Sequence, residues 1–251
     1  MVNASITTSA ASTPSAARIG IRVDDATRRF GDVVAVQGLS LTVGPGEVVA
    51  VVGPSGCGKS TLLELVCGLA APDEGRVEAD PAALMPQRDL LLPWASALDN
   101  AALPLRLRGV GRSEARAAAA PVLAEFGLAG FEQARPAQLS GGMRQRVAFL
   151  RTLLAGKPVL CLDEPFGALD AMARADMQRW LADALAREPR TVLLVTHDVE
   201  EAVLLADRVA VLSPRPGHVV AEITVDLPRP RAATDPDVVA LRARALEALR
   251  R

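Results

Sequence analysis

Residues 19–43 alternate apolar and polar positions, with Gly31 and Asp32 in the middle. A period of two marks a half-buried strand, and Gly-Asp marks a turn, so this stretch predicts β-structure. EVVAVVG, residues 47–53, is a short β-branched run without polar interruption, the pattern of a strand buried on both faces. STLLELVCGLA, residues 60–70, then places its apolar positions at helical spacing. GRVEAD (75–80) and AALMPQ (82–87) predict two more short strands.

The pattern changes between about 89 and 156. Leucine and alanine dominate there and β-branched residues thin out. GRSEARAAAAPVLAEFGL, residues 111–128, predicts a helix ending near Gly127, with Pro121 as a candidate break. The whole block reads as a helical insertion. Beyond it strands and helices alternate: PVLCLDEP (158–165), a helix over about 170–187, TVLLVTHD (191–198), a short helix, DRVAVLSP (207–214) and GHVVAEITV (217–225). Apolar strands separated by helices predict an α/β fold with a largely parallel sheet covered on both faces. After LPRPR (227–231) a last helix is expected over about 236–251, its arginines on a solvated face. Residues 1–17 are rich in Ser, Thr, Ala and Pro and read as a disordered tail; they lack the basic start and apolar middle of a secretory signal. The expected organisation is therefore a tail (1–17), one domain (18–231) and a helical extension (232–251).

Composition narrows the function classes. A net charge of −1 over 251 residues leaves no basic footprint for nucleic acid. No apolar run approaches the roughly 18 residues of a membrane span. Cys57, Cys67 and Cys161 are odd in number and without paired spacing, which suits a reducing compartment and small buried hydrophobes. Nearly all cationic charge is arginine, so a lysine inside a glycine loop stands out; the lysines are Lys59 and Lys157.

That lysine lies in GPSGCGKST: Gly53, Pro54, Ser55, Gly56, Cys57, Gly58, Lys59, Ser60 and Thr61. The run fits G-x4-GK[ST] between a predicted strand and a helix, the setting in which backbone N–H groups wrap a phosphate chain. Lys59 would reach the β- and γ-phosphates of ATP, and the Ser60 hydroxyl would hold Mg2+. VLCLDEP ends a predicted strand with Asp163 and Glu164, pointing two carboxylates into the ligand crevice. Asp163 would assist Mg2+ through water, and Glu164 would act as general base toward the attacking water. His197 ends another strand beside the same crevice, where contact with the γ-phosphate is expected. Gln87, after its own strand, is a candidate for touching Mg2+ or that water. LSGGMRQR, residues 139–146, supplies a second anion-facing site: Ser140 caps a helix, and Gly141 and Gly142 leave its first amides bare.

In this order the motifs resemble the ATP-binding subunit of an ABC transporter, over nearly all of residues 21–231. The resemblance implies a RecA-like P-loop NTPase core, an antiparallel β subdomain and a helical subdomain particular to ABC proteins. It identifies residues 53–61 as the Walker A loop, Gln87 as the Q-loop, LSGGMRQR as the ABC signature, and residues 159–163 with Glu164 as Walker B. It also identifies Asp170 with the D-loop, His197 with the switch histidine, and Phe30 with the aromatic that stacks on adenine. Two copies are implied to pair head to tail, the signature of one covering the ATP held by the other. Hydrolysis would then drive separate permease subunits from the cytoplasmic face of the membrane, with an extracytoplasmic solute-binding protein as an indirect partner. The LLPW pattern at 91–94, FGALDA at 166–171 and LPRPR look like the nitrate/sulfonate/taurine importer group, with pyrimidine vitamin precursors among related solutes. Leu91, Leu92, Pro93 and Trp94 have two readings: core of the helical block, or a groove for a permease helix. An ABC exporter, or an ABC ATPase outside transport, remains the alternative.

Overall fold

The apolar run of residues 48–52 occupies the centre of the molecule because both its faces find cover. In the computed structural model, which describes residues 19–250, it forms strand β3 (Val48–Val52), buried at every position. Val49 and Val51 face one hydrophobic cluster; Val48, Ala50 and Val52 face another. Around it lie β5 (Ala82–Met85), β6 (Val159–Asp163), β7 (Thr191–Thr196), β8 (Arg208–Leu212) and β9 (Val219–Thr224), in the order β5-β6-β7-β3-β8-β9. Every neighbouring pair is parallel except β8–β9. Fully buried β6 and β7 repeat the two-faced pattern of β3, as expected where helices cover both sides.

One face packs against α1 (Lys59–Val66) and a three-stranded antiparallel sheet of β1 (Ile21–Phe30), β2 (Val33–Val43) and β4 (Glu74–Ala79). β1 and β2 turn at Gly31 and Asp32, pairing Phe30 with Val33. The other face packs against the helices α2 (Ala97–Leu107), α3 (Arg112–Glu125), α4 (Gly141–Leu154), α5 (Ala171–Arg187), α6 (Val199–Leu205) and α7 (Pro236–Leu249). Helices α2 to α4 form the helical block. α7 docks on α6, β8 and β9, and its Arg242 pairs with Glu200.

Three expectations are corrected. Pro121 does not break its helix: α3 runs through it. A proline removes one N–H and crowds the preceding turn, but the buried face, Ala115, Ala119 and Leu123, is spaced four residues apart and lies away from exposed Pro121. Packing of that face outweighs the lost hydrogen bond. Leu91 belongs to the core, at 8% exposure, whereas Trp94 is 71% exposed and Leu90 60%. The surface patch is thus Leu90, Pro93 and Trp94, with Leu92 half-buried. Cys57 and Cys161 are buried, but Cys67 is only partly so; all three are free thiols. The expected tail, 1–17, lies outside the described residues, as does Arg251.

Candidate functional site

The carboxyl ends of β3, β5, β6 and β7 lie along one edge of the sheet, where open α/β sheets bind ligands. The loop after β3 turns tightly into α1 through Gly58, at φ +98°. A Cβ there would approach Val36 Cγ1 to 2.5 Å and the Ala35 carbonyl oxygen to 2.7 Å, so only glycine fits. A second close approach comes from Gly217, where a Cβ would stand 1.9 Å from the Cys57 carbonyl oxygen. It lets the loop after β8 press on the glycine loop from the other side.

Lys59 opens α1 and is 8% exposed. Its Nζ folds back to donate to the carbonyls of Gly53 at 2.7 Å and Pro54 at 2.9 Å. These bonds satisfy the ammonium locally and hold it at the mouth of the loop. Beside it the Ser60 hydroxyl donates to Asp163 Oδ2 at 2.8 Å. Burial pushes the Asp163 carboxyl above its ordinary range, and the Ser60 hydrogen bond opposes this. A hydroxyl against a buried carboxyl suits a hard divalent cation such as magnesium, which takes few protein ligands and shares phosphate oxygens.

Glu164 follows on a backbone at φ +47°, a region that costs a non-glycine residue about 1–3 kcal/mol. The strained turn is tied by Glu164 N–H to the Val195 carbonyl, 2.8 Å, and by Gly167 N–H to the Glu164 carbonyl, 3.2 Å. It turns the side chain between two others: Gln87 Nε2 donates to Oε2 at 3.3 Å, and His197 Nδ1 lies 3.2 Å from Oε1. A carboxylate fixed on both oxygens at a strand end is arranged for proton chemistry at a defined point.

These groups share a cleft of about 810 Å3. Of the residues singled out in the sequence, Phe30, Ser55, Gly56, Gly58, Lys59, Ser60, Thr61, Gln87, Asp163, Glu164 and His197 line it. Phe30 is half exposed, with the Arg28 guanidinium 5.0 Å from its ring centre. Gly53 and Pro54 act through their carbonyls on Lys59, and the Cys57 side chain packs into the core. Ser140, Gly141, Gly142 and Asp170 do not line the cleft. Ser140 is exposed and caps α4, accepting from Met143 N–H at 3.2 Å; Asp170 caps α5, accepting from Ala173 N–H at 3.0 Å. Val33, Ala35 and Arg215 also line the cleft. No local signal singles them out, because they arrive from β2 and from the loop that Gly217 brings in.

Known proteins resemble this chain in sequence and fold. The sequence model described as "ABC transporter" matches residues 36–167. The taurine import ATP-binding protein of Burkholderia pseudomallei strain 1710b is 46% identical over 217 residues, covering 83% of this chain and 84% of that protein. The formylaminopyrimidine import ATP-binding protein of Halalkalibacterium halodurans is 45% identical over 205 residues, covering 80% and 82%. Among solved structures, the ATP-binding cassette MJ0796, a dimer in a post-hydrolysis state bound to ADP and Pi, superposes with a TM-score of 0.76 at 29% identity, covering 82% of this chain and 99% of that one. With the glycine loop, the strand-end carboxylates and a likeness to relatives over 83% of the chain together, the chain belongs to the ABC transporter family and is an ATP-hydrolysing cassette of that family.

Proposed function

We propose that this cassette powers a multi-component importer. Two copies meet head to tail and close on two ATP molecules, acting from the cytoplasmic face of the membrane on separate permease subunits. An extracytoplasmic receptor delivers the solute. One observation carries this reading: the two phosphate-facing loops of the chain do not share a site. Lys59, Ser60, Asp163, Gln87, Glu164 and His197 line the cleft, while Ser140 stands exposed at the start of α4, outside it. A two-fold partner brings the missing loop to each cleft and makes both sites equivalent.

In this account adenine stacks on Phe30 and the phosphates lie against the amides of residues 53–61. Lys59 exchanges the Gly53 and Pro54 carbonyls for phosphate oxygens. Ser60, with Asp163 and Gln87, would hold a magnesium ion, which would supply positive charge to those oxygens. Glu164 accepts a proton from water as the water oxygen bonds to the γ-phosphorus, and the bond to the β-phosphate oxygen breaks to leave ADP and phosphate. His197 and the partner's Ser140 and Gly142 hold the γ-phosphate, and Asp170 lies at the facing surface. ATP gains those partner contacts only in the closed dimer, so it favours closure through differential affinity.

Leu90, Pro93 and Trp94, just beyond Gln87, suit a permease helix. The import reading draws on the relatives' names and on the motifs shared with the nitrate/sulfonate/taurine group. Relatives named for taurine and for formylaminopyrimidine are almost equally similar, which supports a kind of system and leaves its solute to the receptor and permease. The test is Glu164→Gln. Turnover falls by about 10²–10⁴-fold while ATP drives the variant into a dimer on size-exclusion chromatography. Normal turnover, or a variant that stays monomeric in ATP, contradicts the assignment.

A further inference from the structure

Glu201 is the third residue of α6 and lies on its inward face with Val199, Ala202, Val203 and Leu205. It is 5% exposed, and its Oε1 has no hydrogen-bond partner among the described residues. Leaving a buried polar atom unsatisfied costs stability. Glu201 lines a second cavity, of about 50 Å3, with Phe166, Gly167, Arg174, Thr196 and Asp198. Glu164 and His197 line this cavity and the large cleft alike, so they form the partition between the two. A polar cavity needs only roughly 10–15 Å3 to hold a water, given two or more polar partners. The Thr196 hydroxyl, the Arg174 guanidinium and the Glu201 carboxyl are such partners.

We propose that Glu201 is a positioning residue for ATP hydrolysis: with a water in the small cavity, it supports the Glu164 carboxyl and the His197 loop from behind. The proposal rests on Glu164 being the group that polarises the attacking water. Chemistry and connectivity both suit the role. Burial, joined by the negative charges of Asp198 and Glu164, pushes the Glu201 carboxyl up to about 8, against the Thr196 hydrogen bond and Arg174. Near neutral pH it is therefore uncharged and offers an O–H to the water without repelling the Glu164 carboxylate. Its backbone is tied to the histidine loop, because Asp198 Oδ1 accepts from the N–H groups of Glu200 at 2.9 Å and Glu201 at 3.3 Å.

The experiment compares Glu201→Met, which keeps length without polar atoms, with Glu201→Gln, which keeps a donor and an acceptor. ATP turnover by the full chain is measured beside Glu164→Gln. In the Met variant kcat falls about tenfold or more, with an unchanged KM for ATP and no loss of Tm. In the Gln variant most of kcat returns. Wild-type kcat in the Met variant overturns the proposal. So does a Gln variant as slow as the Met variant, or a Met variant whose KM and Tm shift along with kcat, the signature of a packing role. Normal turnover by Glu164→Gln strikes instead at the assignment of Glu164, a separate failure.

Discussion

Polar side chains that line the cleft are held by particular neighbours. Glu164 is caught between Gln87 and His197 on a strained turn, and Ser60 is bonded to Asp163. These identities were legible in the sequence because a carboxylate or histidine ending an apolar strand has few places to point. Glu201 was not: its burial depends on which face of α6 meets the sheet, and VEEAVLLAD offers two adjacent glutamates. The sequence could have hinted at it, since Glu201 falls four residues before Leu205 on the apolar face. Its burial has a thermodynamic consequence. The folded-state pKa, about 8, lies above the ordinary value of 4.5, so the folded state holds a proton that the unfolded chain releases. The resulting stability is fully present below pH 4.5 and is lost as pH rises toward 8, by about 1.4 kcal/mol per unit. Glu201→Gln lacks this loss. Urea denaturation of both proteins is expected to show the stability gap shifting in favour of the Gln variant by on the order of 2–3 kcal/mol between pH 5.5 and 8. A gap independent of pH would show that Glu201 is ionised in the folded protein. Carboxyls lowered by their partners, such as Asp99 between Arg112 and Arg116, are common to both proteins and cancel in the difference.

At the scale of elements, the pattern located the central strands β3, β6 and β7 because burial on both faces leaves no room for polar residues, and it located β1 and β2 by their alternation. It served less well in the helical block, where alanine-rich stretches carry weak signals. Pro121 was a reasonable break by local rules and failed as one because Ala115, Ala119 and Leu123 anchor α3 on the opposite face. The segment between β5 and α2 divides in the same way. Leu91 turns into the core, and Asn100 organises the turn by donating to the carbonyls of Leu92, Ala95 and Ser96 at 3.0–3.2 Å. Trp94 is left outside, on a segment fixed by those bonds. Because Trp94 adds little to the core, Trp94→Ala is expected to change stability by no more than about 0.5 kcal/mol. It is expected to leave the ATPase of the free protein intact and to weaken its binding to vesicles carrying the permease. Undiminished binding would show that Leu90, Pro93 and Trp94 are ordinary surface.

Over the whole molecule, sheet order decides what one copy can do. The strand order β5-β6-β7-β3-β8-β9 brings Gln87, Glu164, His197 and the glycine loop to a single edge, though they are up to 144 positions apart in sequence. It leaves Ser140 at the far start of α4, outside the cleft. No helix among the described residues is long and apolar enough to cross a membrane. The motifs were legible one by one, but their division between two surfaces depended on the topology. Mixing two defective variants tests that division most directly. Lys59→Ala removes the cradle lysine and Ser140→Arg blocks the exposed loop, so each homodimer lacks an intact site. A mixed dimer joins the intact Lys59 of one copy to the intact Ser140 of the other. The expected result is negligible ATPase from either variant alone and clear activity on mixing. Full activity in Ser140→Arg alone, or no recovery in a mixture that demonstrably forms mixed dimers, would contradict a site shared between two copies.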